Sequence, residues 1–201
     1  QRRPRRRAEP RDAADAEPKL PSKAEVDKRV DELMESVGLN RAWARSFPHK
    51  LSGGMKQRVI IAMALSCNPK VIIADESTTG LDVLVQAQII ALLKRIQVER
   101  NLGIILISHD LPLVADICDR IGIMYAGSLV ELGTTGEIEG DPLHPYTKAL
   151  FASRINLSDL QAIVRPIEGN VPNLSGKDPG CRFRPRCPLA TEICAREKPA
   201  L

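Results

Sequence analysis

The chain has 201 residues, 43% of them hydrophobic, which is enough for one ordinary domain with a packed core and excludes global disorder. The formal net charge is only +4, and no apolar run approaches the roughly 20 residues that a membrane-spanning helix needs. Six arginines fall within residues 1–11, beside two prolines and without an aromatic residue. We therefore predict that residues 1–22 form a solvated, disordered arm rather than a nucleic-acid or lipid contact.

The first predicted elements are two helices. Ser22 and Glu25 have the spacing of a capping box, and apolar residues then recur at helical spacing until Gly38. A linker over residues 40–50 contains the only tryptophan of the chain. It leads to a Ser-Gly-Gly sequence that opens a second helix, which has to end before Pro69.

Strands and helices alternate in the next part of the chain. The predicted order is strand 71–75, helix near 83–99, strand 104–108, helix near 111–119 and strand 121–125. This alternation predicts an α/β domain with a parallel sheet. The sequence Tyr-Ala-Gly-Ser at 125–128 indicates a hairpin turn into residues 129–132, and the tail from about residue 157 is predicted to be irregular.

The first chemical feature is the helix start at Ser52-Gly53-Gly54. A helix start leaves backbone N–H groups free and carries about half a unit of positive charge. Glycines let a phosphate approach that backbone closely, and the serine hydroxyl adds a donor. The alternative is an ordinary serine cap followed by flexible glycines.

Acidic and basic side chains follow two of the predicted strands. Asp75 and Glu76 end the apolar strand that begins at Val71, and His109 follows the strand over residues 104–108. Ligands of open α/β folds bind at the carboxyl ends of the strands. Taken alone, two acids at a strand end are often only exposed, and a lone histidine there is more often structural.

The flanking residues carry a resemblance to a known family. The stretch over 51–58 resembles the signature motif of ATP-binding cassette (ABC) ATPases, and the strand over 71–76 resembles their Walker B strand. Met55 in place of glutamine is typical of the di/oligopeptide-importer branch, and the pattern over 144–150 is common there, although we assign His144 a structural role. The resemblance covers about residues 24–200 and implies a P-loop NTPase-type parallel sheet flanked by helices, a partial nucleotide-binding domain.

The resemblance implies a role for each matching residue. The signature residues would contact the γ-phosphate of ATP held by the opposite subunit: Leu51, Ser52, Gly53, Gly54 and Gln57. Asp75 would hold Mg²⁺ through water, and Glu76 would be the general base that orients the attacking water. His109 would be the switch histidine, and Asp82 of the D-loop would lie at the dimer interface.

The D-loop departs from the family pattern at two positions. Ser77 stands where the family commonly has proline, and Gly80 where alanine or serine is usual. Serine removes a φ restraint and glycine adds flexibility, so both changes concern positioning and not a catalytic group.

The tail contains three cysteines in fourteen residues, Cys181, Cys187 and Cys194. They suggest a metal or cluster site, but their spacing fits neither a zinc knuckle nor the bacterial ferredoxin run. The resembled C-terminal extension usually has a fourth cysteine, and some members hold an iron–sulfur cluster. No fourth cysteine follows before Leu201, so we predict an incomplete site, while Cys67 and Cys118 are predicted to be core residues.

The sequence contains no G-x-x-x-x-G-K-[ST] phosphate loop. The nearest candidate, Gly176-Lys177-Asp178, fails in spacing and lacks the hydroxyl. Since the chain also starts at Gln1 without a methionine, we expect a fragment or a processed start. We expect tight ATP binding to need the missing loop.

These observations predict three regions: a basic arm over 1–22, a partial ABC ATPase domain over 23–156, and a Cys-containing extension over 157–201. The predicted function is an ATP-hydrolysing subunit of an importer for di/oligopeptides or related small solutes, with ATP and Mg²⁺. The alternatives are a truncated, non-catalytic module that donates its signature motif to a complete ATPase, and a soluble ABC ATPase of repair or translation type.

The resemblance also implies the partners. They are a second ABC ATPase subunit, identical or different, and integral membrane permease subunits, with an extracytoplasmic solute-binding protein contacted indirectly. No nucleic acid is expected. The predicted location is the cytoplasmic face of the cell membrane.

Overall fold

A computed structural model describes residues 21–153, 166–172 and 179–200. Most of the predicted arm over 1–22, and the predicted boundary between residues 156 and 157, lie outside these ranges. The chain forms two compact units, Gln1–Ile107 and Ser108–Leu201.

The first unit begins with helix α1, Lys23–Ser36, and the predicted capping box is confirmed. The backbone N–H of Ser22 donates to the Glu25 carboxylate at 2.7 Å, and the N–H of Glu25 donates to the Ser22 hydroxyl at 3.3 Å. The Ser22 hydroxyl and backbone hold the pKa of Glu25 below its ordinary value. Leu33 and Met34 are buried on the packed face, whereas Val26 near the start of the helix is exposed.

Two arginines from other helices hold the carboxyl end of α1. They lie on α2, Gly53–Leu65, and on α3, Val83–Arg100. Arg58 of α2 donates to the Val37 carbonyl at 2.7 Å, and Arg95 of α3 donates to the Ser36 carbonyl at 2.6 Å. Because the last carbonyls of a helix lack intrahelical partners and carry partial negative charge, these bonds fasten α1 to both helices.

The core of the first unit lies between α2 and α3. Leu65, Ile89 and Ile96 have no exposed surface. The helix α2 ends at Leu65, before the turn that precedes Pro69, as predicted. Cys67 lies in that turn and is exposed, so its predicted core position is wrong.

Two strands form a parallel pair, β1 over Val71–Asp75 and β2 over Gly103–Ile107. The register runs from Val71 opposite Gly103 to Asp75 opposite Ile107. Successive side chains of a strand point to opposite faces. Ile72 and Ala74 of β1 are buried, but the other face of the pair carries exposed apolar side chains, namely Val71, Ile73, Ile105 and Ile107.

The second unit begins with α4, Leu111–Ile117, and continues with a hairpin of β3, Arg120–Tyr125, and β4, Ser128–Thr134. Ala126 and Gly127 have φ angles of 49° and 76°, the left-handed values that a tight two-residue hairpin turn needs. The predicted hairpin is therefore confirmed. Whereas β1 and β2 are parallel as predicted, β3 pairs antiparallel with β4 in a separate sheet.

Two further helices follow the hairpin, α5 over Thr135–Gly140 and α6 over Pro145–Ala152. Glu131 of β4 accepts hydrogen bonds from the backbone N–H groups of Leu143 at 2.6 Å and His144 at 3.0 Å. Burial raises the pKa of this carboxyl. The nearby Thr147 hydroxyl and these two N–H groups lower it by more, so the pKa of Glu131 lies below its ordinary value.

His144 is buried and caps α6, because its Nδ1 accepts from the Tyr146 N–H at 3.1 Å. The predicted structural role of this histidine therefore matches its position. Burial lowers the pKa of His144, although the charge of Glu131 opposes that shift.

The described part of the tail is irregular apart from two short 3₁₀ helices, Arg184–Arg186 and Glu192–Ala195. Phe183 is 1% exposed, and its ring packs edge-on against the Tyr125 ring with 5.2 Å between the ring centroids. Cys118 was predicted to be a core residue. It is half-buried and packs against the core of Ile121, Ile123 and Ile138, so it lies at the edge of that core.

Candidate functional site

The carboxyl end of β1 presents two exposed acids. Asp75 is the last residue of the strand, and Glu76 follows it. The N–H of Glu76 donates to the Ile107 carbonyl at 2.9 Å, so the pairing with β2 continues past Asp75. Glu76 nevertheless has a φ of 47°, a left-handed conformation that costs a non-glycine residue free energy. Such a backbone persists only where its surroundings hold it, and it often marks a functional position.

A turn over Glu76–Thr79 holds the second acid. The Glu76 carbonyl accepts from the Thr79 N–H at 3.1 Å, and the Thr79 hydroxyl donates to Glu76 Oε2. Inside the turn Thr78 is buried, and the Ser77 hydroxyl is buried without a hydrogen-bond partner among the residues that the structure describes. The conformation of Glu76 is thus fixed by its own turn and by β2.

Asp82 caps the helix that follows this turn. Its carboxylate accepts from the Val85 N–H at 2.9 Å at the start of α3. A carboxylate at this position satisfies a free N–H group and faces the positive end of the helix dipole. The helix cap is the role that the structure gives to Asp82, and the predicted dimer contact stays a prediction.

The signature segment forms the start of α2. Leu51 ends a 3₁₀ helix over Pro48–Lys50, and the Ser52 hydroxyl accepts from the Met55 N–H at 3.3 Å. Ser52 is therefore a helix cap, as in the alternative of an ordinary serine cap. The predicted contact of this segment with a phosphate stays a prediction. Gln57 is half-buried one turn further along.

The two glycines of this segment have a packing role that sequence reasoning missed. A Cβ atom on Gly54 would lie 2.7 Å from Val85 Cγ1, and one on Gly53 would lie 3.1 Å from Leu81 Cδ2. The contact at Gly54 is too short for any real side chain. The signature helix therefore begins against the end of the D-loop stretch and the start of α3, and the structure brings these two motifs together.

His109 belongs to the second unit, two residues after the end of β2. Its side chain is exposed. The neighbouring Asp110 caps α4 by accepting from the Leu113 N–H at 3.1 Å, and its own N–H donates to the Ser108 hydroxyl at 3.0 Å. The loop that carries His109 is therefore fixed by hydrogen bonds on its carboxyl side.

The three tail cysteines share one cluster. Buried Cys181 packs with Phe183 and Tyr125, and half-buried Cys187 and Cys194 pack against that group. The Cys181 N–H donates to the Cys194 carbonyl at 2.9 Å. Among the described residues, no group of three or more histidine, cysteine, aspartate or glutamate side chains is arranged to hold a metal ion. As described, the cysteines contribute to packing.

The path of the tail depends on Gly180 and Arg186, neither of which the sequence analysis singled out. A Cβ on Gly180 would lie 2.4 Å from the Cys194 carbonyl oxygen, so only glycine fits there. Arg186 donates to the carbonyls of Ile167 at 2.6 Å and Glu168 at 2.7 Å. It also donates to the Tyr125 hydroxyl at 3.2 Å. No sequence signal distinguishes this arginine from its neighbours, because all three partners lie far from it along the chain.

An apolar groove crosses the first unit between α1, the linker and α2. It has a volume of about 230 Å³, and its lining includes Val30, Met34, Trp43, Val59 and Met63. Trp43 and Met63 are 39% and 68% exposed. Exposed apolar side chains grouped in this way are typical of interaction surfaces and ligand-binding grooves.

In the part of the chain that the structure describes, none of the helices has the length and apolarity needed to cross a membrane.

Comparison with known families gives two matches. The family model described as "ABC transporter" matches residues 3–79, and the model described as "Oligopeptide/dipeptide transporter, C-terminal region" matches residues 130–194. The second match begins ahead of the predicted boundary at residue 157.

Curated proteins that are similar to this chain are named as transport ATP-binding proteins for oligopeptides or dipeptides, in agreement with the two family models. The oligopeptide transport ATP-binding protein AppD of Bacillus subtilis is 46% identical over 181 residues, which are 89% of this chain and 55% of that protein. The chain spans about half the length of the curated relatives it matches.

Two solved structures share the fold. One is cbiO1 of Clostridium perfringens, described as part of the ABC transporter complex cbiONQ. It is 36% identical with a TM-score of 0.55, over 61% of this chain and 48% of that chain. The other is the ATP-binding cassette MJ0796, a dimer bound to ADP and Pi. It is 32% identical with a TM-score of 0.51, over 58% of this chain and 50% of that chain.

Proposed function

Because this chain belongs to the ABC transporter family of ATP-binding proteins, in the oligopeptide/dipeptide branch, we propose that it forms part of an ATP-hydrolysing importer subunit. The solute would be a di- or oligopeptide or a related small molecule. The observation that supports this proposal most is the pair Asp75 and Glu76 at the end of β1, with Glu76 held in a left-handed conformation.

The two acids suit different tasks in ATP hydrolysis. Asp75 offers a carboxylate at the carboxyl end of β1, and Mg²⁺ prefers such oxygen ligands, so this residue would hold the metal, usually through water. Bound Mg²⁺ neutralises charge on the phosphates. Glu76 would orient the attacking water and accept its proton, and His109 would contact the γ-phosphate.

The signature helix serves a second nucleotide. The start of α2 leaves backbone N–H groups free and carries the positive end of the helix dipole, which favours a phosphate. In the proposed head-to-tail dimer, Leu51, Ser52, Gly53, Gly54 and Gln57 would face the ATP of the other subunit. The relative MJ0796 is itself described as a dimer bound to ADP and Pi.

The proposed partners are a second ATPase subunit, identical or different, and membrane permease subunits, with a solute-binding protein contacted indirectly. The apolar groove between α1, the linker and α2 supports a protein partner at the first unit. The proposed location is the cytoplasmic face of the cell membrane. An iron–sulfur cluster is not part of the proposed function, because the described cysteines form no metal-binding group.

The test is turnover of ATP by a form of the protein that carries a phosphate loop upstream of this sequence, either the parent protein or a hybrid that supplies the loop. We expect Glu76→Gln to lower kcat by at least about 10²-fold, the usual contribution of a general base, while ATP binding is retained. A phosphate-release assay and equilibrium binding of ATP measure the two quantities.

The matched control is Glu99→Gln on α3. Glu99 is an exposed carboxylate that pairs with Arg95 at 3.0 Å, and such surface pairs contribute little. This variant should keep its kcat. Retained turnover in Glu76→Gln contradicts the general-base role. Absence of turnover in the unmutated form supports the alternative of a non-catalytic module.

A further inference from the structure

Cys181 and Cys194 lie side by side in the tail. The Cys181 N–H donates to the Cys194 carbonyl at 2.9 Å, and Gly180 beside it passes so close to that carbonyl that a Cβ would not fit. With these two atoms bonded, standard bond lengths keep the two Cα atoms within about 7 Å of each other. A disulfide cannot join cysteines whose Cα atoms lie more than about 7 Å apart, so this pair meets the first condition for one.

The two side chains also face the same side of the paired backbones. Cys181 is 8% exposed and packs with Phe183 and Tyr125, and Cys194 packs against the same aromatic group. A disulfide requires Cβ atoms that do not point apart. The shared contact with one cluster meets this second condition, because side chains on opposite sides of the backbone pair could not both reach it.

The third tail cysteine, Cys187, is held differently. Its N–H donates to the Arg184 carbonyl at 3.2 Å, at the end of the 3₁₀ helix over Arg184–Arg186. Among the backbone hydrogen bonds of the described tail, none joins Cys187 to Cys181 or to Cys194. Cys187 is therefore a thiol of the same cluster that lacks the backbone pairing, which makes it a natural comparison.

We propose that Cys181 and Cys194 are a redox-active thiol pair, which hydrogen peroxide oxidises to a disulfide and a small thiol such as glutathione reduces again. In a reducing compartment such disulfides are usually transient and redox-sensing. The pair takes the place of the metal or cluster site predicted from the sequence, which the described residues do not form. It acts independently of ATP hydrolysis.

Cys194 is the thiol that reacts first. It is half-buried, and its Sγ lies 3.5 Å from the Thr191 hydroxyl oxygen. That hydroxyl and the Thr191 backbone hold the pKa of the Cys194 thiol below its ordinary value, which favours the nucleophilic thiolate. Cys181 is buried and is therefore the resolving thiol, which reacts second.

The two steps conserve atoms and electrons. The Cys194 thiolate attacks one peroxide oxygen, the O–O bond breaks, and the products are a sulfenic acid and hydroxide. The Cys181 thiol then loses its proton and attacks the Cys194 sulfur, so that the S–S bond forms and the sulfenic hydroxyl leaves with that proton as water. The electron pair that the two sulfurs lose is the pair that the two peroxide oxygens gain.

Oxidation closes residues 181–194 into a covalent loop. This loop includes Arg186, which already bonds to the Tyr125 hydroxyl at 3.2 Å and so ties the tail to β3. A disulfide stabilises a fold mainly by restricting the unfolded chain. We therefore expect the oxidised chain to unfold at a higher denaturant concentration than the reduced chain, as measured by circular dichroism.

The test treats the full chain, reduced with dithiothreitol and then freed of it, with hydrogen peroxide. The intact mass should fall by about 2 Da, the mass of the two hydrogen atoms lost when a disulfide forms. Peptide mapping without reductant should find Cys181 joined to Cys194. Dithiothreitol should restore both the mass and the unfolding midpoint.

Substitutions separate this pair from the other thiols. Cys194→Ser should abolish the mass loss, whereas Cys187→Ser and Cys67→Ser should keep it, since Cys67 is an exposed thiol of the first unit. Because Cys181 is buried, its replacement endangers folding. The mapping of the unmutated chain and the Cys194 variant therefore carry the test.

Three results would overturn the proposal. They are an unchanged mass after peroxide treatment, a disulfide that involves Cys187, and iron or zinc bound in stoichiometric amount to chain purified without oxygen, because a bound metal would occupy the thiols. Elemental analysis measures the last. Loss or retention of ATP turnover in Glu76→Gln has no bearing on the pair, so the two proposals fail separately.

Discussion

Ser77 lies in the middle of the turn that holds Glu76, and within the described part of the chain its buried hydroxyl has no hydrogen-bond partner. A buried polar group without a partner loses its hydration and gains nothing in return, a cost of about 1–3 kcal/mol. The family commonly has proline at this position, which has no polar side chain to satisfy. The serine is therefore a local source of instability beside the proposed general base.

We predict that Ser77→Ala raises the free energy of unfolding of the first unit by about 1 kcal/mol, because it removes the unpartnered hydroxyl. Chemical denaturation followed by tryptophan fluorescence measures this, since Trp43 is the only tryptophan and lies in the first unit. Ser66→Ala removes a partnered, exposed hydroxyl and should not stabilise the unit. A loss of stability in Ser77→Ala would contradict the prediction.

At the scale of single residues, some roles could be predicted from the sequence and others could not. The capping box of Ser22 and Glu25 was predictable, because both partners lie on one turn of chain. The left-handed conformation of Glu76 was not predictable, because it depends on the Ile107 carbonyl of another strand. Thr79 lay within the D-loop pattern, but only the structure places its hydroxyl on the Glu76 carboxylate.

At the scale of elements, the contact between α2 and α3 decides how the signature segment is presented. The start of α2 approaches α3 so closely that Val85 occupies the space where a side chain at Gly54 would lie. The glycine thus has two functions that reinforce each other: it leaves the helix start open and permits close packing of the helices.

We predict that Gly54→Ala destabilises the first unit by about 1–3 kcal/mol, because Val85 is stiff and the added methyl group overpacks the contact. This loss exceeds the gain of up to about 1 kcal/mol that alanine normally brings to a helix. Denaturation followed by Trp43 fluorescence measures the change.

Two further variants test the cause. Val85→Ala in the Gly54→Ala background should recover part of the lost stability, because it removes the atom that clashes. Gly136→Ala in α5 of the second unit is the control for alanine in a helix without a clash, since nothing lies within 4 Å of its added Cβ. Its unfolding is followed by circular dichroism, because Trp43 lies in the first unit. This substitution should be neutral or stabilising. A Gly54→Ala variant as stable as the unmutated chain would show that the helices separate at no cost.

At the scale of the whole molecule, one face of the β1–β2 pair is exposed and apolar. Ile73 is 65% exposed and lies opposite Ile105, which is 52% exposed. Parallel sheets are normally covered on both faces. An uncovered apolar face of this kind promotes association with other protein surfaces.

We predict that the chain by itself self-associates through this face, and that Ile73→Thr reduces the association, because threonine suits a strand but is less apolar. Sedimentation velocity over a range of concentrations measures it. Val98→Thr is the control, because Val98 is 81% exposed and belongs to α3, not to the sheet pair. Equal effects of both substitutions would indicate nonspecific association.

The sequence by itself determined the family, the order of the elements and the identity of the acids, because these depend on local patterns: periodicity, caps, and motifs at fixed spacing. The strand at 71–75, the strand predicted at 104–108 and found at 103–107, and the hairpin at Ala126-Gly127 follow from such patterns. The tertiary structure alone decided the sheet to which β3 belongs, the exposure of Cys67, the close approach of Gly54 to Val85 and the hold of Thr79 on Glu76. All four depend on atoms that come into contact only once the chain has folded. The spacing of hydrophobic residues shows which face of an element is buried, but not which other element packs against that face.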